Sequence, residues 1–108
     1  MSQSQFVSKP ETTQFLSGTT FGTLDIDNYS DFNIVTTGAA TATLPAGKFN
    51  GQEITIFLRT DAGDLVVSGD FQLALVTATL GDAGDFLSLR WHPSAGWVTV
   101  SNVGAVLA

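Results

Sequence analysis

Few side chains of this sequence could carry acid–base or metal chemistry. His92 is the single histidine, and no Ser or carboxylate is placed beside it as the partner that general acid–base catalysis needs. The chain has no cysteine, so a zinc or copper site would have to be built almost entirely from carboxylates. The sequence therefore predicts a protein that is not an enzyme and that holds no cofactor and no transition metal.

One turn is rich in oxygen ligands. Asp25, Asp27, Asn28 and Asp31 stand close together and could offer oxygens to Ca²⁺. Their spacing lacks the Gly and the terminal Glu of an EF-hand loop. An Asx-rich turn, in which these side chains bond the local backbone, is the favoured interpretation, and calcium binding by Asp25, Asp27 and Asp31 stays open.

A tetrapeptide occurs twice, as DAGD at 61–64 and again at 82–85, each time followed by an apolar residue. Paired carboxylates can perform glycoside hydrolysis. Here Gly and Asp are also the residues that make tight turns, because Gly accepts a positive φ and Asp bonds its own backbone. We expect two similar turns, each leading into a strand.

The clearest structural pattern is a β-hairpin over 85–101, where two alternating runs flank a segment with Pro and Gly. The predicted inner face holds Leu87, Leu89, Trp91, Val98 and Val100. Placing both runs in one core puts Leu89 opposite Val98 and leaves 92–95 as the loop. The outer face then carries Phe86 and Trp97, two large aromatic residues that need a cover from another sheet or another subunit.

Aromatic residues could also form a platform for stacking sugars. Trp91 belongs with the predicted core, whereas Trp97 would lie exposed beside Arg90, where a cation–π pair is worth roughly 0.5–2 kcal/mol. Trp and Arg are typical anchors of protein interfaces, so we favour interface packing over a sugar site.

The rest of the chain shows short strands and no helical periodicity. Alternation is strong over 52–60, where Ile54, Ile56 and Leu58 share a face, and turn signals recur every 8–12 residues. The predicted fold is all-β, a single small antiparallel sandwich or jelly-roll or barrel-like domain over 19–108. Residues 1–18 are polar and predict an extended arm, or else a disordered tail.

Composition argues for an assembly. The 108 residues carry a net charge of −6 with four basic residues, which disfavours nucleic acid and anionic membranes as partners. Only 13% of residues are charged, so part of the surface is expected to meet other protein rather than water. We expect an oligomer. The start of the chain has no signal-peptide pattern, which predicts folding in a cytoplasm.

Several apolar or cationic side chains are candidates for interface contacts. Phe6, Phe15 and Leu16 would dock the arm, and Val106 and Leu107 lie in an apolar tail that packs either on its own sheet or on a neighbouring subunit. The full set of interface candidates is Phe6, Phe15, Leu16, Phe86, Arg90, Trp97, Val106 and Leu107.

Part of the sequence is similar to a pattern in structural proteins of tailed bacteriophages. The pattern consists of LPAG at 44–47, NGQEITI at 50–56, GDL at 63–65, GDFLSLRW at 84–91 and GWVTV at 96–100. It resembles a trimer-forming β module that ends in a Trp-bearing hairpin, and it covers 44–102.

The resemblance implies a homotrimeric capsid decoration (cement) protein on the capsid surface of the virion, bound across contacts of the major capsid protein. The alternative is a trimeric receptor- or glycan-binding tip of a head or tail fibre, with Tyr29, Arg90 and Trp97 as contacts. A small carbohydrate-binding module of non-viral origin is a third interpretation.

Overall fold

The computed structural model describes residues 12–108. Its elements in chain order are β1 (Thr13–Thr23), β2 (Asp31–Thr43), β3 (Glu53–Thr60), β4 (Leu65–Ser68), a 3-10 turn (Gln72–Ala74), β5 (Thr77–Leu80), β6 (Phe86–His92), β7 (Gly96–Val103) and β8 (Val106–Leu107). Within this part of the chain there is no α-helix, and hence none that could span a membrane. The predicted all-β class is confirmed.

The eight strands form one curled sheet in the shape of a half-barrel, organised around β2. The first half of β2, from Asp31 to Val35, pairs with β3, and the second half, from Ala40 to Thr43, pairs with β4. β1 runs along the other edge of β2 over both halves. Strands β6 and β7 extend the sheet beyond β3, and β5 and β8 extend it beyond β4.

The pairing is mixed rather than wholly antiparallel. β1, β2, β3 and β4 run parallel, and β5 to β8 join by antiparallel pairs. Parallel neighbours need a connection that returns the chain to its starting end. The loops between Thr23 and Asp31 and between Thr43 and Glu53 make this return, and both pack against the core, where Leu24, Ile26 and Leu44 are buried.

Alternating side chains of both halves fill the inside of the curl. The largest fully buried side chains are Phe32, Ile34, Ile54, Ile56, Leu58, Leu65, Val67, Phe71, Leu80, Leu87, Leu89 and Trp97. The predicted inward face of Ile54, Ile56 and Leu58 is confirmed, because β3 alternates between buried and outward positions along its length. Register matches these residues across strands, with Phe32 beside Ile56 and Ile56 beside Leu87.

The predicted boundary between arm and domain falls inside β1. Thr13 already pairs with Asp31, and the ladder continues to Gly18 opposite Thr36. Residues 13–18 are therefore an edge strand of the sheet rather than a separate arm. The part of the predicted arm before Thr12, with Phe6, lies outside the described residues.

The hairpin forms as predicted, but its register was predicted wrongly by one position. Trp91 pairs with Trp97, and Arg90 pairs with Val98. The Ala95 amide donates to the His92 carbonyl at 3.0 Å, and Gly96 follows with φ +88°. A turn closed by a left-handed glycine is a common three-residue hairpin loop. Because Gly96 belongs to the turn and not to the alternating run, Trp97, Val98 and Thr99 lie on the opposite face from the predicted one. A second register shift, between Ser88 and Leu89, returns Ser101 to its predicted outer position beside Ser88.

Candidate interaction surface

An aromatic row crosses the outer face of the first half of the sheet. Register places Phe15 of β1 beside Asn33, Asn33 beside Phe57, Phe57 beside Phe86, and Phe86 beside Val103. Asn33, Phe57 and Phe86 alternate with buried neighbours and point away from the core, and register places Phe15 and Val103, both exposed, on the same face. The row is continuous over five strands, from the β1 edge to the β7 edge. We call Phe15, Asn33, Phe57, Phe86 and Val103 the aromatic row.

The aromatic row is exposed most at its two ends. Phe15 is 69% exposed and Val103 is 49% exposed, whereas Phe57 and Phe86 are half-buried between their neighbours. Four large apolar side chains in one line are unlike the single scattered apolar residues of ordinary surfaces. Among residues 12–108 the row is therefore a candidate surface for contact with another protein.

A polar row lies next to the aromatic row, one pleat away. Its members, in order across the strands, are Thr13, Asp31, Thr55, Ser88 and Ser101. The Thr13 hydroxyl donates to Asp31 Oδ2 at 3.1 Å, and the hydroxyls of Thr55 and Ser88 lie 3.0 Å apart. These hydrogen bonds hold the short polar side chains close to the sheet. The longer Phe side chains of the aromatic row therefore extend further from the sheet than the polar row does.

Two arginines flank the rows on the same face. Arg59 Nε donates to Asn33 Oδ1 at 2.8 Å, which ties it to the centre of the aromatic row. Arg90 Nε donates to Glu53 Oε2 at 3.0 Å. Since both groups of the Arg90–Glu53 pair are half exposed, the pair contributes little to stability and mainly fixes the position of the side chains.

The charges of this face cancel, in contrast to the rest of the molecule. The face carries two carboxylates, Asp31 and Glu53, against Arg59 and Arg90. Elsewhere in residues 12–108 there are seven carboxylates and one lysine, Lys48, which amount to a net −6. The aromatic row therefore lies on a neutral face of an otherwise acidic protein.

The outer face of the second half of the sheet is uncharged and rich in threonine. Register aligns Thr20, Thr41, Val66, Thr79 and Val106 across β1, β2, β4, β5 and β8. A second line of Thr23, Thr43, Ser68 and Thr77 runs beside it. We call these two lines the threonine face. It offers hydroxyl and methyl groups, with no aromatic and no charged side chain in either line.

The predicted interface residues separate into outward and inward groups. Phe15, Phe86 and Arg90 lie together on the face of the aromatic row, as described above. Val106 belongs to the threonine face and is 65% exposed. Leu16 and Leu107 instead point inward and pack against the core of their own chain.

Trp97 does not occupy the exposed position that was predicted for it. Its side chain is 0% exposed, and its Nε1 donates to the Pro45 carbonyl at 3.0 Å. Its ring lies edge-on to the Trp91 ring with the centroids 5.2 Å apart. Val98 and Val100, which were predicted inside, are half-buried and exposed respectively. The shifted register exchanges these faces, so Trp97 is a core residue and its predicted contact with Arg90 is wrong.

An open cleft of about 500 Å³ lies beside Tyr29. Tyr29 and Phe49 supply aromatic rings to it, and Asp27 and Glu53 supply carboxylates. Sequence reasoning identified Tyr29 but missed Phe49, which is 62% exposed. The sequence did contain an indication of this exposure, because Phe49 directly precedes the Asn50-Gly51 turn, and residues at such turns are not expected to be buried in the core.

The aspartates of the Asx-rich turn are engaged by local donors. Asn28 Nδ2 donates to Asp25 Oδ2 at 2.9 Å, and Lys48 Nζ lies 3.8 Å from Asp27 Oδ1. Asp31 points to the outer face and binds the Thr13 hydroxyl. Within residues 12–108 no group of three or more His, Asp or Glu side chains is arranged to hold a metal ion.

The two DAGD turns lead into β4 and β6 as predicted, but they use different aspartates. In the first, Asp61 Oδ1 accepts a hydrogen bond from the Gly63 amide at 2.9 Å. In the second, Asp85 Oδ2 accepts hydrogen bonds from the amides of Gly81 and Asp82. Asp61 and Asp85 therefore stabilise the backbone of these turns by accepting hydrogen bonds from it.

No protein-family model matches this sequence, and a search of curated proteins finds no significant match.

Proposed function

We propose that this chain is a structural protein of a tailed bacteriophage, a capsid decoration protein that assembles as a homotrimer and binds the outside of the head across major capsid protein contacts. The observation that carries the proposal is the presence of two separate faces of low net charge on an acidic chain, the face of the aromatic row and the threonine face. A decoration protein needs two such surfaces, one for its own copies and one for the shell.

The action of such a protein is mechanical. Each bound trimer adds buried surface across a joint between capsid proteins, and that surface must be separated before the joint can open. Contacts that are weak singly become strong when three linked subunits bind a repeating shell, because the second and third contacts form at high effective concentration. Surfaces without charged side chains, such as the threonine face, suit contacts of this kind.

The proposal is tested with empty heads of the phage that encodes this chain, prepared without the protein. Purified protein is mixed with these heads, and co-sedimentation and the heat stability of the heads are measured. We expect saturable binding and heads that break at a higher temperature. The variant Thr41→Asp places a charge on the threonine face and should abolish binding, while Ala62→Asp, in an exposed turn, should bind like the wild type. Wild-type protein that stays in the supernatant contradicts the proposal.

The cleft beside Tyr29 favours one alternative, a glycan-binding tip of a phage fibre. Aromatic rings stack on sugar faces, and the carboxylates of Asp27 and Glu53 could accept hydrogen bonds from sugar hydroxyls. A glycan array probed with wild-type protein and with Phe49→Ala separates the functions. Binding to defined glycans that Phe49→Ala loses supports the fibre tip, and an array without signal contradicts it.

A further inference from the structure

We propose that the aromatic row is the surface through which copies of this chain bind one another. The inference rests on the homo-oligomer contained in the proposed function and assigns its interface to particular residues. On a three-fold assembly the row would face the axis, where the same residues of each copy meet.

The composition of the face is that of a protein interface. Aromatic residues and arginine are enriched in interface cores, whereas lysine, glutamate and aspartate are depleted there. The aromatic row has three Phe side chains, and the two arginines of residues 12–108 both flank it. The threonine face lacks both residue types, so it is the weaker candidate for tight self-association.

Charge indicates that the occupant is another copy of the same chain. A cationic partner would be drawn to the acidic flanks of this molecule. These flanks are the loops and turns that hold the other seven carboxylates and Lys48, and they carry the whole net charge of −6. A second copy carries the same negative flanks and is repelled by them. It can approach closely only where the local charge cancels, and the face of the aromatic row meets that condition and also carries four large apolar side chains.

The geometry of the row also fits a repeated contact. Adjacent strands are about 4.8 Å apart, so a row across five strands is roughly 19 Å long. Its apolar side chains are longer than the hydroxyl side chains of the adjacent polar row, so the aromatic row forms a ridge on the face. Two or three such ridges can pack side by side around a symmetry axis.

The experiment is the measurement of molar mass in solution by light scattering coupled to size exclusion, over a range of micromolar concentrations. We expect the wild type to be an oligomer. The double variant Phe57→Ser/Phe86→Ser and the single variant Phe15→Glu should associate at least tenfold more weakly and elute as monomers. Phe49→Ser and Val106→Ser, which remove exposed apolar side chains elsewhere, should keep the wild-type mass.

Circular dichroism and urea denaturation show whether each variant is folded. If the double variant is misfolded, Phe15→Glu still tests the inference. Phe15 is exposed on an edge strand and contributes little to the core, so this variant is expected to fold. A monomeric wild type overturns the inference, as does a folded row variant that keeps the wild-type mass. Loss of the oligomer in both control variants also overturns it.

The same proteins, tested for binding to empty heads, separate this inference from the proposed function. Self-association that depends on the aromatic row, without head binding by the wild type, supports the inference and contradicts a decoration role. Head binding that is unchanged in monomeric row variants contradicts the trimeric part of the proposed function and leaves the row as a self-association surface. If the wild type is a dimer and the dimer depends on the row, the row is a self-association surface and the proposed trimer is contradicted.

Discussion

Trp97 shows how strongly one side chain depends on the register of its strand. It is fully buried, it donates a hydrogen bond to the Pro45 carbonyl, and it packs edge-on against Trp91. A side chain with these contacts joins the hairpin to the loop between β2 and β3. Its loss should act on the folded state of the single chain and not first on assembly.

We predict that Trp97→Ala lowers the free energy of unfolding by about 3–5 kcal/mol, the usual range for deleting a large buried aromatic side chain. Urea denaturation followed by fluorescence of the remaining Trp91 measures the change. Val100→Ala, on the same strand but exposed, should change stability by less than about 0.5 kcal/mol. A Trp97→Ala protein of normal stability that fails to assemble would contradict the buried position.

Leu73 combines an unfavourable backbone with an exposed side chain. Its φ is +60°, a conformation that costs a residue with a Cβ roughly 1–2 kcal/mol, and its side chain is 84% exposed. Asn tolerates this conformation better than Leu does, and very little burial is lost on substitution.

We predict that Leu73→Asn raises the free energy of unfolding by about 0.5–1 kcal/mol because strain is relieved without loss of core packing. Thermal and urea denaturation measure the gain. Val76→Asn is the matched control, since Val76 is also exposed and has no positive φ, and it should give no gain. Equal effects of the two substitutions would show that surface polarity, and not backbone strain, decides the result.

At the scale of elements, the junction between β3 and β4 positions both outer faces. β2 runs past this junction, and Thr36 lies at it with its side chain buried. The Thr36 hydroxyl donates to the Gly63 carbonyl at 2.8 Å and accepts from the Ala62 amide at 3.1 Å. A Cβ on Gly63 would come within 2.2 Å of the Gly38 carbonyl carbon, so the turn lies directly on β2.

We predict that Thr36→Val lowers the free energy of unfolding by about 1–3 kcal/mol, because the shape is kept while backbone groups of the turn lose their partner. Urea denaturation measures the loss. Thr37→Val, exposed and adjacent, should change stability by about 0.5 kcal/mol or less. Gly63→Ala should be more damaging than Thr36→Val, since backbone atoms must move to admit the methyl group. A neutral Thr36→Val would mean that water replaces the hydroxyl.

At the scale of the whole molecule, net charge opposes assembly while the aromatic row favours it. Each copy carries −6, and this charge lies away from the row. Repulsion between such copies acts over the Debye length, which is about 10 Å at 0.1 M salt, whereas contacts between apolar side chains depend little on salt. The balance between the two sets the salt dependence of self-association.

We predict that self-association strengthens when salt rises from about 20 mM to about 300 mM, because the repulsion is screened. Analytical ultracentrifugation at both salt concentrations measures the dissociation constant. Arg90→Ala leaves Glu53 unpaired on the face, so this variant should show weaker assembly at low salt and a steeper recovery with salt. Association that weakens as salt rises would indicate an interface held by ion pairs.

Much of the local structure could be predicted from the sequence because it depends on neighbours in the chain. Alternation over β3, the turn residues of the DAGD repeats and the existence of the final hairpin are all local signals. The outward position of Phe86 was also predicted, since it follows from strand alternation, whereas Phe15 was placed in an arm and its position in β1 was not predicted. The hairpin register was not accessible, because it depends on whether Gly96 pairs in the strand or closes the turn.

The sequence by itself determined the all-β class, the strand-forming runs and the excess of negative charge, since these follow from residue types and short-range spacing. Only the tertiary structure decided that β1 to β4 run parallel and that Phe15, Phe57 and Phe86 align in one row. Those residues lie on separate strands, and alignment across strands depends on register and on the curl of β2. Both are set by packing of the whole core, which no short stretch of sequence specifies.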